Sequence, residues 1–88
     1  MKTMDAWYVY ILRCADASLY TGLSNDIERR VEEHNTDNRL AAKYTRARRP
    51  VQLVYQETYE SRSDASVREA EIKKLNRQEK ERLIGGEI

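Results

Sequence analysis

The stretch Trp7 to Cys14, WYVYILRC, constrains the fold more than any other part of the chain. It is rich in β-branched and aromatic residues and reads as a strand. A short four-residue turn follows, Ala15 to Ser18 (ADAS), and then a second strand-like run, Leu19 to Leu23 (LYTGL). A parallel crossover needs a dozen or more residues, so a connection this short leaves only an antiparallel hairpin. Alternation along the first strand puts Tyr8 and Tyr10 on one face and Trp7, Val9 and Ile11 on the other. Tyr20 shares its face of the second strand with Gly22. A glycine inside a strand marks a place where another backbone or a ligand comes close.

With 88 residues the chain builds one modest core, burying about 60–65% of its unfolded surface. A Rossmann unit, a barrel or a second substrate domain does not fit. The longest apolar run is seven residues, Ala6 to Leu12. A membrane span needs about 20, so none is expected. The opening MKTMDAW has no apolar signal core, which predicts a cytoplasmic protein. One cysteine, Cys14, excludes an internal disulfide and a zinc site of paired cysteines, and it reads as a small structural residue. One histidine, His34, excludes a multi-histidine metal centre. The net charge of +1 is uninformative, but its distribution is not. Arg39 to Arg49 (RLAAKYTRARR) holds five basic residues and no acid. Such a segment is either a solvated loop or a local polyanion contact.

The rest of the chain alternates helix and strand signals. Ser24-Asn25-Asp26 opens a first helix to about Asn35, with a possible capping box from Asn25 to Glu28. A short helix or loop covers Leu40 to Arg46. Val51 to Tyr55 is a third strand that could extend to Tyr59. Ser63-Asp64 starts a helix to about Leu75, and Asn76 to Ile84 continues or restarts it before Gly85-Gly86. The order β-β-α-β-α(-α) predicts a small α/β (α+β) domain over residues 1–88, with its core at about 7–76 and a C-terminal helix to about 84. A central three-stranded antiparallel sheet is flanked by helices.

Several residues exceed what packing asks for. Ile27, Val31 and His34 share one helical face, with Arg30 on or beside it. Arg30 either covers the core edge with its stem or presents its head to a ligand. His34 is a proton carrier or a satisfied core-edge histidine. Glu69 lies at the margin of the face formed by Ala65, Ile72 and Leu75, where an ion pair with Arg68 or Lys73 is the plain alternative to a functional role.

In order and spacing these residues resemble the GIY-YIG nuclease family. Tyr8-Val9-Tyr10 stands at the first signature, Tyr20-Thr21-Gly22 at the second, NDIERRVEEHN supplies the arginine and histidine, and REAEIKK supplies the glutamate. The resemblance runs from about Trp7 to Asn76 and is closest to small stand-alone bacterial members. Tyr8 and Val9 replace the glycine and isoleucine of the first motif, and Thr21 replaces the isoleucine of the second. Ala17 stands in the hairpin turn where relatives often carry glycine. Asn76 is a candidate for the family's terminal asparagine.

The resemblance implies a Mg²⁺- or Mn²⁺-dependent endonuclease that hydrolyses phosphodiester bonds, in DNA rather than RNA, with a role in DNA repair or recombination. Glu69 would hold the metal, which asks for few protein ligands when phosphate and water supply the rest. Arg30 would hold the scissile phosphate. Tyr10 is the candidate general base, with its high ordinary pKa as the difficulty. Tyr20 would orient water or phosphate, and His34 would relay the proton. Tyr8 and Gly22 support the site. Lys43, Arg46, Arg48 and Arg49, with Tyr44 interleaved, would contact the nucleic-acid backbone. The expected state is a monomer. The alternative is a non-catalytic or partner-dependent nucleic-acid-binding module that uses the same phosphate pocket.

Overall fold

A computed structural model describes residues 6–86 of the chain. The outer limits of the expected domain, Met1 and Ile88, lie outside the described residues. The elements are β1 (Trp7–Arg13), β2 (Leu19–Ser24), α1 (Ile27–Thr36), α2 (Lys43–Arg46), β3 (Gln52–Tyr59), α3 (Arg62–Lys73) and α4 (Arg77–Ile84). The strands form one antiparallel sheet in the order β2-β1-β3. The expected three-stranded sheet with flanking helices is therefore the observed architecture, and the third strand takes the longer of its two readings.

Because β1 is central, both of its faces are covered. Val9 and Ile11 pack with Ala65 and Ile72 of α3 and Leu83 of α4. Tyr10, Leu12 and Cys14 pack with Ile27 of α1 and Val51, with Tyr8, Tyr20 and Val31 at the margin. Cys14 is a buried free thiol in this second cluster, as its structural reading requires. A strand buried on both sides must be apolar at nearly every position, which is why WYVYILRC does not alternate with charge. A bulge opposite Ile11 and Leu12 leaves Val54 without a partner in the β1–β3 register. Val54 and Tyr55 consequently both pack on the α3 side.

The helix ends follow capping chemistry. Asp26, not Asn25, caps α1, accepting from the Arg29 N–H at 3.1 Å. Ser24 still belongs to β2, and its hydroxyl binds the Asp26 backbone on both sides. The helix therefore starts one residue later than the Asn25 box assumes, and Glu28 is no longer the third helical residue. The capping box forms instead at Asn76–Glu79, which starts α4 as a separate helix. Asn76 is thus occupied in capping. Ser61 caps α3, one residue before Arg62 begins it.

On the α3 side, Glu57 of β3 is a polar clamp. It accepts from the hydroxyls of Tyr55 and Tyr59 and from Arg68 of α3 through both of its oxygens. Four charge-assisted donors hold its pKa down to about 2, against the opposing effect of burial. Arg13 and Glu81 make a second bidentate pair, at 2.7 and 2.9 Å, between β1 and α4.

The β1–β2 turn carries local strain. Ala17 has φ 70°, in the left-handed region. Asp16 holds the turn by accepting from the Ser18 N–H and hydroxyl. An L-residue with a Cβ costs roughly 1–2 kcal/mol there, partly offset by glycine's larger unfolded-state entropy. Ala17→Gly should therefore raise stability by about 0.5–1 kcal/mol. Urea denaturation checks this, and an unchanged or lower midpoint would count against the strain.

Candidate functional site

The site grows from Tyr10 at the centre of the sheet. Its cross-strand partner on β2 is Gly22. A Cβ on Gly22 would lie 2.5 Å from the Tyr10 hydroxyl oxygen and 2.7 Å from Cζ. The phenol thus lies across the backbone of β2, in the space that the missing side chain leaves. It is 1% exposed, so it cannot swing out of the way cheaply. The glycine inside the strand does mark a close approach, but the group that approaches is the Tyr10 side chain, in place of the expected backbone or ligand.

The Tyr10 hydroxyl meets His34 Nε2 at 3.0 Å. His34 is fully buried, projecting from α1 onto the same face of the sheet. Its Nδ1 lies 2.7 Å from Thr45 Oγ1 on α2. Thr45 is also fully buried, and its hydroxyl lies 3.0 Å from the Ala42 carbonyl. Tyr20, two residues before Gly22, sets its ring edge-on to His34 with centroids 5.3 Å apart. Tyr8 packs on the same face as Tyr10.

Arg30 stands one turn before His34. One terminal nitrogen donates to Glu33 at 2.9 Å and to the Leu40 carbonyl at 2.7 Å. Its side chain is only one quarter exposed. The head is therefore held by Glu33 and the Leu40 carbonyl and does not simply reach into water, as the packing reading had it. Burial lowers and Glu33 raises its pKa, with a net rise.

These surroundings set the proton equilibria. Burial first, then Tyr20, pushes the Tyr10 phenol up to about 12, while the Arg30 charge opposes the rise. Burial first, then Arg30, pushes His34 down to about 4. Both groups are therefore neutral at pH 7. An NMR titration of the His34 ring should show a midpoint near 4. Because the folded value lies below the ordinary 6.5, the associated stability is present above pH 6.5 and fades as pH falls through 4. A midpoint near 6.5 would contradict this account of the burial.

Glu69 reaches the same neighbourhood from α3, which packs on β1 and β2. Its charge is near enough to raise the Tyr10 pKa. Its side chain is 20% exposed and pairs with Lys73 at 3.3 Å, while Arg68 turns instead to Glu57 and Glu71. Among the described residues no group of three His, Cys, Asp or Glu side chains could hold a metal ion. The donors fit a hard ion that keeps water and phosphate oxygens as most of its ligands, and not a preformed protein cage.

The basic segment divides. Lys43 is exposed and makes no ion pair among the described residues. Arg46 is exposed and donates to the Asn38 carbonyl. Arg48 stacks over Tyr44 at 3.8 Å and bonds Asp16 in the hairpin turn. Tyr44 in turn stacks on Tyr20, 5.9 Å between centroids, which joins this segment to the site. Arg49 faces inward and donates to the carbonyls of His34 and Asp37 and to the Asn38 side chain. It serves the C-terminus of α1. Two residues escaped the sequence reading. Thr45 lies within the basic run, where charge masked a hydroxyl. Asn35 pairs with both backbone groups of Val51 and ties α1 to the start of β3.

The fold and this polar cluster define a small α/β domain with a tyrosine–histidine pair beside a fixed arginine. The family model described as the GIY-YIG catalytic domain matches residues 6–82. The chain belongs to the GIY-YIG family. It is 57% identical over 81 residues to the UPF0213 protein SA0446 of Staphylococcus aureus, covering 92% of this chain and 96% of that one. Among solved structures it is similar to the UPF0213 protein BH0048 of Bacillus halodurans, at 42% identity and TM-score 0.58, covering 91% of this chain and 83% of that one. It is also similar to EF2693 of E. faecalis, at 40% identity and TM-score 0.61, covering 94% and 88%. No described helix is long and apolar enough to cross a membrane.

Gly22→Ala should cost about 1–3 kcal/mol of stability and break the Tyr10–His34 bond, since the methyl group needs the volume of the phenol. Thermal unfolding, together with the loss of the abnormal His34 titration, checks both effects. A variant with unchanged stability and an unchanged His34 midpoint would refute the close packing.

Proposed function

We propose that the chain is a divalent-metal-dependent nuclease that hydrolyses phosphodiester bonds in DNA. The observation that carries this reading is the buried Tyr10–His34 pair, with the charges of Arg30 and Glu69 near enough to act on Tyr10. A structural role alone does not call for a neutral proton donor and acceptor, a fixed cation and a carboxylate at one place.

In this reading Arg30, already anchored by Glu33 and Leu40, grips the scissile phosphate with its remaining donors. Glu69, now paired with Lys73, would hold a Mg²⁺ or Mn²⁺ ion. The bound ion supplies Lewis-acid stabilisation of the phosphoryl charge and leaving oxygen. Tyr10 is a phenol at neutral pH, so it accepts a proton from the attacking water only as its own proton passes to His34 Nε2. Tyr20 orients the water or phosphate beside His34. Lys43, Arg46 and Arg48 contact backbone phosphates, while Arg49 supports α1. A service in DNA repair or recombination, in the cytoplasm and as a monomer, belongs to the same proposal.

The test is cleavage of supercoiled plasmid, single-stranded DNA, branched duplex and RNA with Mg²⁺ or Mn²⁺. Wild-type protein should cut DNA, and chelation should stop it. Glu69→Ala and Arg30→Ala should each lose at least about 100-fold, the scale expected for removing a metal ligand or a charge clamp. Binding without cutting by the wild type, unaffected by Glu69→Ala, favours the non-catalytic module.

A further inference from the structure

The Tyr10–His34 pair can pass a proton in the required direction only if His34 presents a lone pair, not an N–H, to the phenol. The hydrogen-bond partners decide which. Tyr10 is buried, and His34 is the one hydrogen-bond acceptor its hydroxyl finds among the described residues, while Arg30 acts on it as a donor. The neighbouring Arg30 is a donor and cannot accept from it. The phenol proton therefore needs Nε2 as its acceptor, because a buried hydroxyl left without one costs about 1–3 kcal/mol. The ring proton must then reside on Nδ1, which faces Thr45 Oγ1 at 2.7 Å. Thr45 has one proton of its own, and the Ala42 carbonyl stands 3.0 Å away to receive it. The threonine oxygen is thus left as an acceptor toward His34.

We infer that Thr45 is a positioning residue that fixes His34 as the Nδ1–H tautomer, so that Nε2 is open to the Tyr10 proton. The catalytic consequence rests on the nuclease reading above; the tautomer does not. The arrangement also tolerates the product of the transfer. When His34 gains the phenol proton it becomes a donor at both nitrogens, and Nδ1 still donates to Thr45 while Nε2 donates back to the phenolate. No side chain has to turn. Proton and charge balance within the pair: the O–H bond of Tyr10 breaks, the N–H bond at Nε2 forms, and the water's proton restores the phenol.

The site of the ring proton is read by long-range ¹H–¹⁵N NMR of His34, in wild type, Thr45→Val and Thr45→Ser. Wild type and Thr45→Ser should hold the proton on Nδ1. Thr45→Val, which keeps the shape and removes the acceptor, should show the Nε2–H form as well. Its cleavage rate should fall about 10- to 100-fold, as for loss of other groups that orient a histidine, with Thr45→Ser restoring most of it. DNA affinity should be unchanged. A wild-type proton on Nε2 overturns the inference, as does Nδ1–H remaining the sole form in Thr45→Val, whatever its rate. An unchanged rate in Thr45→Val overturns the positioning role. If Thr45→Val does not fold, the wild-type and Thr45→Ser tautomers decide. If the wild type cuts no substrate, the nuclease reading fails while the NMR result still judges Thr45.

Discussion

The Tyr10 hydroxyl is held where four elements meet, and it can be there only because Gly22 has no side chain. The phenol leaves β1, crosses the bare backbone of β2 and ends on the imidazole of α1, which α2 supports from behind through Thr45. Each contact fixes the next. If β2 shifted by one residue, the opposing glycine would move to the other face and the phenol would have no space. The turn at Ala17 and the pairing Tyr10↔Gly22 therefore do more than close a hairpin, since they set where the one buried histidine can find a partner.

The sheet explains why such a cluster survives in so small a chain. β1 lies between two apolar layers, so its even-numbered side chains are as dry as its odd-numbered ones. Burying a phenol, an imidazole and a hydroxyl there would be unfavourable if any were left unpaired. Linked in series to the Ala42 carbonyl, they satisfy one another. The opposite layer solves its polar problem separately, with Glu57, Tyr55, Tyr59 and Arg68 forming a clamp between β3 and α3. Thr21 Oγ1 is the buried side-chain atom that finds no partner among the described residues.

Much of this was legible in the sequence, for identifiable reasons. The hairpin follows from a four-residue connection, and the two-faced burial of β1 from its unbroken apolar run. Helical spacing put Arg30 and His34 together, and alternation put Tyr20 and Gly22 on one face, while the pairing of Gly22 with Tyr10 needed the register of the structure. What the sequence hid was direction and choice of partner. The cap at Asp26 depends on where β2 releases the chain, which no local pattern near Asn25 records. Arg49 and Lys43 belong to one basic run, yet one faces the end of α1 and the other faces solvent. Thr45 was overlooked because its importance lies in what stands opposite it in space. A threonine among arginines carries no signal of an imidazole eleven residues away.

The proton equilibria give the proposed chemistry its order of events. At rest the proton belongs to Tyr10, since burial makes the phenol a weak acid and the imidazole a weak base. After burial, the next cause of the weak basicity of His34 is the positive charge of Arg30. In the proposed reaction a phosphodiester bound to Arg30 would offset that charge and make His34 a better acceptor with substrate in place. The same phosphate makes Tyr10 harder to ionise, because the Arg30 charge was what opposed the rise in its pKa. A free tyrosinate is thus disfavoured in the resting site. In the proposed reaction the proton of the attacking water would arrive at Tyr10 as the phenol's own proton leaves for His34, so the orientation of that imidazole bears directly on the step.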